Sequence, residues 1–316
     1  MDLITVWFIL VAVLWTGYFV LEGFDFGVGI LAPVLSRDES ERRQVLLTIG
    51  PVWDGNEVWL ITAIGGMFAA FPAWYAGMLS HFYLAMMLVL VGLIVRGVGL
   101  EWRGKVTRPG GRMWCDTGIL VGSLLPAFLW GGVFADVLFD SAAAALLGGV
   151  FSLVVFVLHG AVFVALKTEG EVRVRARRTA LATVAVAVPL AAFALSAVPR
   201  GDALTALLVW ASVTALAGAG VAVWRGREGW AFTATAGAIA GVSAAVFLAL
   251  WPTPMPGINL LEAASAPYAL TIMTWIAIAA LPFILLYQGW TYWVFRKRLT
   301  RQPVTEPTAE VVPAKA

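Results

Sequence analysis

Residues 50–60 read GPVWDGNEVWL. The stretch opens a long apolar run, 50–71, yet it holds two acids, Asp54 and Glu57, three positions apart and flanked by Trp53 and Trp59. An acid near the centre of a membrane helix costs roughly 2.5 kcal/mol or more even on the most lenient insertion scale. A sequence that keeps two of them needs a reason, and the surrounding chain has to supply it.

The surroundings are apolar throughout. Of 316 residues, 61% are hydrophobic and 13% charged, and the mean hydropathy is +0.88, too little polar surface to coat a soluble globule. The reading is an all-α polytopic membrane protein. A net charge of +2 is spread over short loops, which argues against nucleic acid as a partner. The single Cys115 makes no internal disulfide, and no Cys/His cluster suggests a metal site. The start, MDLITVWFIL, has neither a basic leader nor a small-residue cleavage site, and reads as a retained first span.

Cutting at charged and Pro/Gly-rich breaks gives nine apolar segments, 4–35, 50–71, 76–98, 113–137, 143–166, 179–198, 203–224, 230–251 and 268–295. Each is near or above the roughly 20 residues that cross a bilayer. The first, third, fifth and seventh connections and the C-terminal tail carry twenty of the 21 Lys and Arg residues, Arg96 and Arg103 among them; only Arg200 lies on the other side. The positive-inside rule then puts the amino terminus outside and the carboxyl terminus in the cytoplasm, which requires an odd number of spans. The expectation is one transmembrane domain over 1–301, built as two four-helix bundles with a ninth helix beside them, and a disordered cytoplasmic tail over 302–316. The outer connection 252–267, rich in proline, reads as an ordered cap.

A second pair of acids, Glu22 and Asp25, lies in the first span within LEGFDFGVG, again three apart. Three-residue spacing puts each pair on one helix face. Spans one and two are joined by a short loop and are expected to pack together, so the four carboxyl groups are expected to form one cluster in the cytoplasmic half of the membrane. With no Lys or Arg assigned to that depth, desolvation and mutual repulsion favour proton exchange over permanent charge. The alternative is that these acids cap half-helices or bind glycine-rich backbone, since Gly23, Gly27, Gly29, Gly50 and Gly55 surround them.

The other polar residues receive plainer readings. Asp116 at the start of span four reads as a helix cap, Asp136 as a solvated outer residue, and Arg96, Glu101 and Arg103 as a surface charge set. His81 and His159 lie at different depths and read as hydrogen-bonded helix contacts, not a haem pair. Trp290, Tyr292 and Trp293 fit an interfacial aromatic belt.

At these residues the chain resembles subunit II of the cytochrome bd-type quinol oxidases. The matching stretches include GFDFGVGIL (23–31), ERRQ (41–44), GPVWDGNEVWLITAIGGMFAAFP (50–72), RGVGLEWRGK (96–105) and MTWIAIAALPFILLYQGWTYW (273–293). The resemblance implies a haem-free subunit of the prokaryotic plasma membrane, paired with a haem-bearing subunit I. Together they oxidise quinol and reduce dioxygen to water with cytoplasmic protons. It implies b- and d-type haems on the partner only, and leaves room for a structural quinone in this chain and for a small accessory subunit. It further implies that Trp53 and Asp54, which match the family's Trp-Asp pair, belong to a proton path, with Asp25 a further motif acid. Glu57 stands where some members carry Gln, His81 where some carry Gly and His159 where some carry Gln, so the resemblance assigns these no essential role. The cluster reading adds Glu22 and Glu57 to the path. Two other functions compete, a proton- or cation-coupled secondary transporter and a scaffold subunit whose acids only pack and cap.

Overall fold

In the computed structural model, which describes residues 2–198 and 203–301, every regular element is helical. In chain order they are α1 (Leu3–Leu35), α2 (Glu39–Leu46), α3 (Trp53–Ala70), α4 (Pro72–His81), α5 (Tyr83–Arg103), α6 (Pro109–Phe139), α7 (Ala142–Lys167), α8 (Gly170–Ser196), α9 (Ala203–Trp224), α10 (Glu228–Leu250), α11 (Leu260–Ala263) and α12 (Pro267–Val294). Eight of these, all but α2, α3, α4 and α11, are long and apolar enough to cross a membrane. The ninth expected segment, 50–71, is the 18-residue α3, about 27 Å long at 1.5 Å per residue, whose acids lower its hydropathy. Residue Arg200 and the tail 302–316 lie outside the described residues.

Local chemistry sets the element ends. Asp2 caps α1 by accepting from the Thr5 amide at 2.8 Å, and Asp38 caps α2 by accepting from the Glu41 amide at 3.0 Å. Pro72, Pro109 and Pro267 each open a helix where the missing N–H costs nothing. Pro72 also ends α3, so the chain bends at Phe71 before α4.

Helix α1 is the centre of the packing, touching α2, α3, α6, α7, α10 and α12. Its segment from Glu22 to Gly29 is buried on every side. Glycines make this possible: a Cβ on Gly27 would strike the backbone of Gly160 in α7, and Gly92 and Gly122 bring α5 and α6 together in the same way. These glycines are packing positions. Beside them an aromatic cluster fills the interior, with Trp15 and Trp130 rings 4.9 Å apart and Trp130 Nε1 donating to the Tyr18 hydroxyl at 3.0 Å.

The basic connections meet at one end of the bundle. Arg103 of α5 forks onto Glu39 of α2 at 2.8 and 2.9 Å and reaches Asp116 of α6 at 2.6 Å. Arg175 of α8 pairs with Glu41 at 2.6 Å, Arg173 with Glu228 at 2.7 Å, and Arg301 with Asp38 at 2.6 Å. The chain after α12 is tied across this end by main-chain bonds, Leu299 N–H to the Lys167 carbonyl at 2.7 Å and Glu169 N–H to the Leu299 carbonyl at 3.1 Å. At the opposite end the 252–267 connection is ordered, with Ser265 bonded to the Ala70 and Ala69 carbonyls at 2.9 and 2.7 Å.

Three sequence expectations fail here. Asp116 does not cap a helix, because α6 begins seven residues earlier at Pro109; it is an ion-pair partner of Arg103 and Arg42. Arg103 is buried in that network and Arg96 is wholly buried, so neither belongs to a surface charge set; only Glu101 and Lys105 do. The hydropathy cut misplaced Arg96 because α5 continues seven residues beyond it, about 10 Å.

Candidate functional site

Glu22 and Asp25 project from one face of α1 with no exposed surface. Opposite them stands Arg96 of α5, also wholly buried. Its Nη2 donates to Glu57 Oε1 of α3 at 2.8 Å and forms an ion pair with Glu22 Oε1. Its guanidinium also lies 4.9 Å from the centre of the Phe26 ring. The Glu57 side chain keeps 25% of its surface, so this carboxylate spans from the outside of α3 to the buried arginine.

Asp25 is held by a different group. Asn56 Nδ2 donates to Asp25 Oδ2 at 2.7 Å, and Asn56 Oδ1 accepts from the Tyr292 hydroxyl at 2.8 Å and from Gln288 Nε2 at 3.1 Å, both on α12. Five buried polar atoms here have no hydrogen-bond partner: Glu22 Oε1, whose contact is the Arg96 ion pair, Glu22 Oε2, Asp25 Oδ1, and Arg96 Nε and Nη1. The site therefore retains unused donors and acceptors, each of which costs free energy in an apolar interior.

The four expected carboxyl groups do not form one cluster. Glu22, Asp25 and Glu57 come together, but Asp54 sits on the exposed side of α3, one turn before Glu57, and acts on it only through its charge. Trp53 is half-buried, its ring against Gly97 of α5. The premise that no basic residue shares this depth also fails, since Arg96 does. Arg96, Asn56, Gln288 and Tyr292 were missed as members of the site. An asparagine between two acids in an apolar run is the available signal for Asn56; the place of Tyr292 among tryptophans at a helix end gives none for its hydroxyl.

The two histidines make separate contacts. His159 Nε2 donates to the Val20 carbonyl at 3.1 Å, which leaves Nδ1 to accept from the Thr235 hydroxyl at 2.7 Å, and its ring stacks on Phe232. His81 lies at the far end of the molecule, exposed, with Nε2 3.7 Å from Asp136 Oδ2, a contact that is ionic only when the imidazole is protonated. Among the described residues no group of three or more His, Cys, Asp or Glu is arranged to hold a metal ion.

A separate cavity of about 370 Å³ lies between α1, α6, α7, α8, α9 and α10, lined among others by Phe19, Trp130, Phe156, Leu195, Ile239 and Phe247. Its walls are apolar and aromatic. At the basic end, burial alone would push the Glu41 carboxyl up, but the Arg175 guanidinium and the Arg37 amide hold it below the ordinary glutamate range.

The chain matches the sequence profile of the cytochrome bd terminal oxidase subunit II family over residues 3–295. It is 38% identical to cytochrome bd ubiquinol oxidase subunit 2 of Bacillus subtilis over 331 residues, covering 95% of this chain and 98% of the relative. It is 32% identical to cytochrome bd-I ubiquinol oxidase subunit 2 of Escherichia coli K12 over 368 residues, covering 96% and 97%. The fold resembles a chain of the bd oxidase from Geobacillus thermodenitrificans with a TM-score of 0.77 at 18% identity, covering 94% of this chain and 100% of that one.

Proposed function

The chain belongs to the cytochrome bd terminal oxidase subunit II family, and from that premise we propose that it is the haem-free subunit of a quinol oxidase, conducting protons toward a haem-bearing subunit I. The observation that carries this is the graded line of acids. Asp54 is exposed, Glu57 is one-quarter exposed, and Glu22 and Asp25 are wholly buried. Three carboxyl groups face one guanidinium, so charge balance in an apolar interior calls for two protons among them. Groups that must share protons, with unused buried oxygens between them, are suited to passing protons on.

The remaining features fit this role. The basic end is the cytoplasmic side, the amino terminus is outside and the carboxyl terminus is inside. Since both ends of the path from α2 to Arg103 meet at Glu39, α3 with α4 makes the outward crossing that α5 reverses, giving nine crossings. The nine form two four-helix bundles with α12 at the side, in a prokaryotic plasma membrane. The sparse burial of α12, with only Leu270 buried, suits contact with lipid or a partner. The apolar cavity suits the isoprenoid tail of a structural quinone, and a small accessory subunit is compatible with the remaining exposed helices. The haems are assigned to subunit I, as the family resemblance implies.

Asp54→Ala and Asp25→Asn in the assembled two-subunit oxidase are expected to slow quinol-driven oxygen consumption while haem content stays normal. Normal turnover in both would remove the proton path. Loss of haem from the membrane in both would favour a scaffold role, which the Arg96 bonds joining α1, α3 and α5 also support.

A further inference from the structure

Asn56 adjoins Glu57 in sequence but is wholly buried. An amide offers two N–H donors and one carbonyl oxygen, and here all are engaged. Nδ2 donates to Asp25 Oδ2 at 2.7 Å and to the Leu21 carbonyl at 3.4 Å, while Oδ1 accepts from Tyr292 and Gln288. Turning the amide over would set Oδ1 against the Leu21 carbonyl, which has no proton to give, and against the Asp25 carboxylate. Its orientation is fixed by its neighbours, and that has a consequence for Asp25. The oxygen that accepts from Asn56 is committed, whereas Oδ1 is buried and unpartnered.

Helix α12 adds the second observation. It is the least buried long helix, and its polar links to the bundle are few: Trp7 Nε1 to Thr274 and the Leu270 carbonyl, and Tyr292 and Gln288 to Asn56. Asn56 therefore joins α1, α3 and α12 at one amide.

We infer that Asn56 is a positioning residue for proton transfer at Asp25: it pins Oδ2, leaves Oδ1 as the atom that gains and loses the proton, and links that carboxyl group to α12. The inference rests on the reading of Asp25 as part of the proton path. The titratable and charged groups facing Asp25 are Glu22 on its own helix, Glu57 on α3, Arg96 on α5 and Tyr292 on α12.

The test uses the complete oxidase with both subunits, measuring quinol-driven oxygen consumption from pH 5.5 to 9 alongside haem content. Asn56→Leu is expected to lower turnover about tenfold and displace the pH optimum by about one unit, the scale of losing a hydrogen bond to a charged group. Tyr292→Phe, which removes only one donor to Asn56, is expected to displace the optimum in the same direction by less, and it decides the matter if Asn56→Leu fails to assemble. In an Asp25→Asn background, Asn56→Leu is expected to add no further loss. An unchanged pH profile in Tyr292→Phe and in assembled Asn56→Leu, or an equal loss with and without Asp25, overturns the inference. Slow Asp25→Asn beside normal Asn56→Leu overturns it while leaving the proton path standing; normal turnover in Asp25→Asn removes Asp25 from the path and overturns the inference, and the path itself falls only if Asp54→Ala is normal as well.

Discussion

Arg96 and Glu22 form an ion pair in which neither side chain has any exposed surface. Two charges taken wholly out of water repay their desolvation only through each other and their remaining partners. This pair, extended by Glu57, ties α1, α3 and α5 at the depth where the site lies.

Replacing Arg96 with Leu strands Glu22 and Glu57 together, and breaking a buried pair from one side costs about 3–5 kcal/mol. The subunit is expected to fall sharply in membrane abundance and thermal stability. Adding Glu22→Leu should restore part of both, since the uncompensated charge is gone; thermal unfolding of the detergent-extracted complex compares the two.

Glu57→Gln keeps an amide oxygen able to accept from Arg96 Nη2. Turnover is expected to stay within about threefold of the parent, whereas Glu22→Gln, lacking any route to solvent, should fall further. Steady-state oxygen consumption of the two variants gives the ranking, and the reverse order would contradict the graded line.

Gly160→Leu places a side chain against the backbone of Gly27 and Val28, with no rotamer that avoids it. Overpacking of this kind costs typically about 1–3 kcal/mol and more where backbone must move. The α1 to α7 contact is expected to open, read as a lowered Tm and loss of assembled complex. Gly65→Ala, which meets nothing within 4 Å, should be neutral.

The Glu41 to Arg175 pair predicts a pH dependence at the basic end. The folded carboxyl titrates below the ordinary value of 4.5. Its stabilisation is therefore present above that value and is lost as pH falls through the folded one. Thermal unfolding followed from pH 6 down to 3.5 should show a decline that Glu41→Gln makes shallower.

His159→Gln retains a donor toward the Val20 carbonyl. The assembled complex is expected to keep its full haem content and unaltered reduced-minus-oxidised spectrum. Loss of a haem band would make His159 a ligand.

The acidic pairs were legible because an acid in an apolar run is conspicuous, and the basic end because positive charge concentrates in alternate connections. The order of the chain also announced that α1 and α3 would pack. Asp54 led the sequence reading with Asp25 as a further acid, yet Asp54 is exposed on α3 and Asp25 lies in the centre of the fold. Arg96 looked like a loop residue, since an arginine following a long apolar run is the ordinary sign of a helix end. Asn56 and Tyr292 gave no sign that they would meet, being separated by 236 positions.

By itself the sequence determined an all-helical membrane protein, the approximate places of its apolar segments, the end at which its positive charge gathers and the two acid pairs that need a purpose. Only the tertiary structure decided which acids turn inward, which arginine neutralises them and which amide holds Asp25. The physical reason is that these helices are apolar on nearly every face. Hydropathy then marks where a helix crosses but neither its ends nor how it is rotated, and rotation against neighbours is set by glycine contacts and buried hydrogen bonds between distant residues.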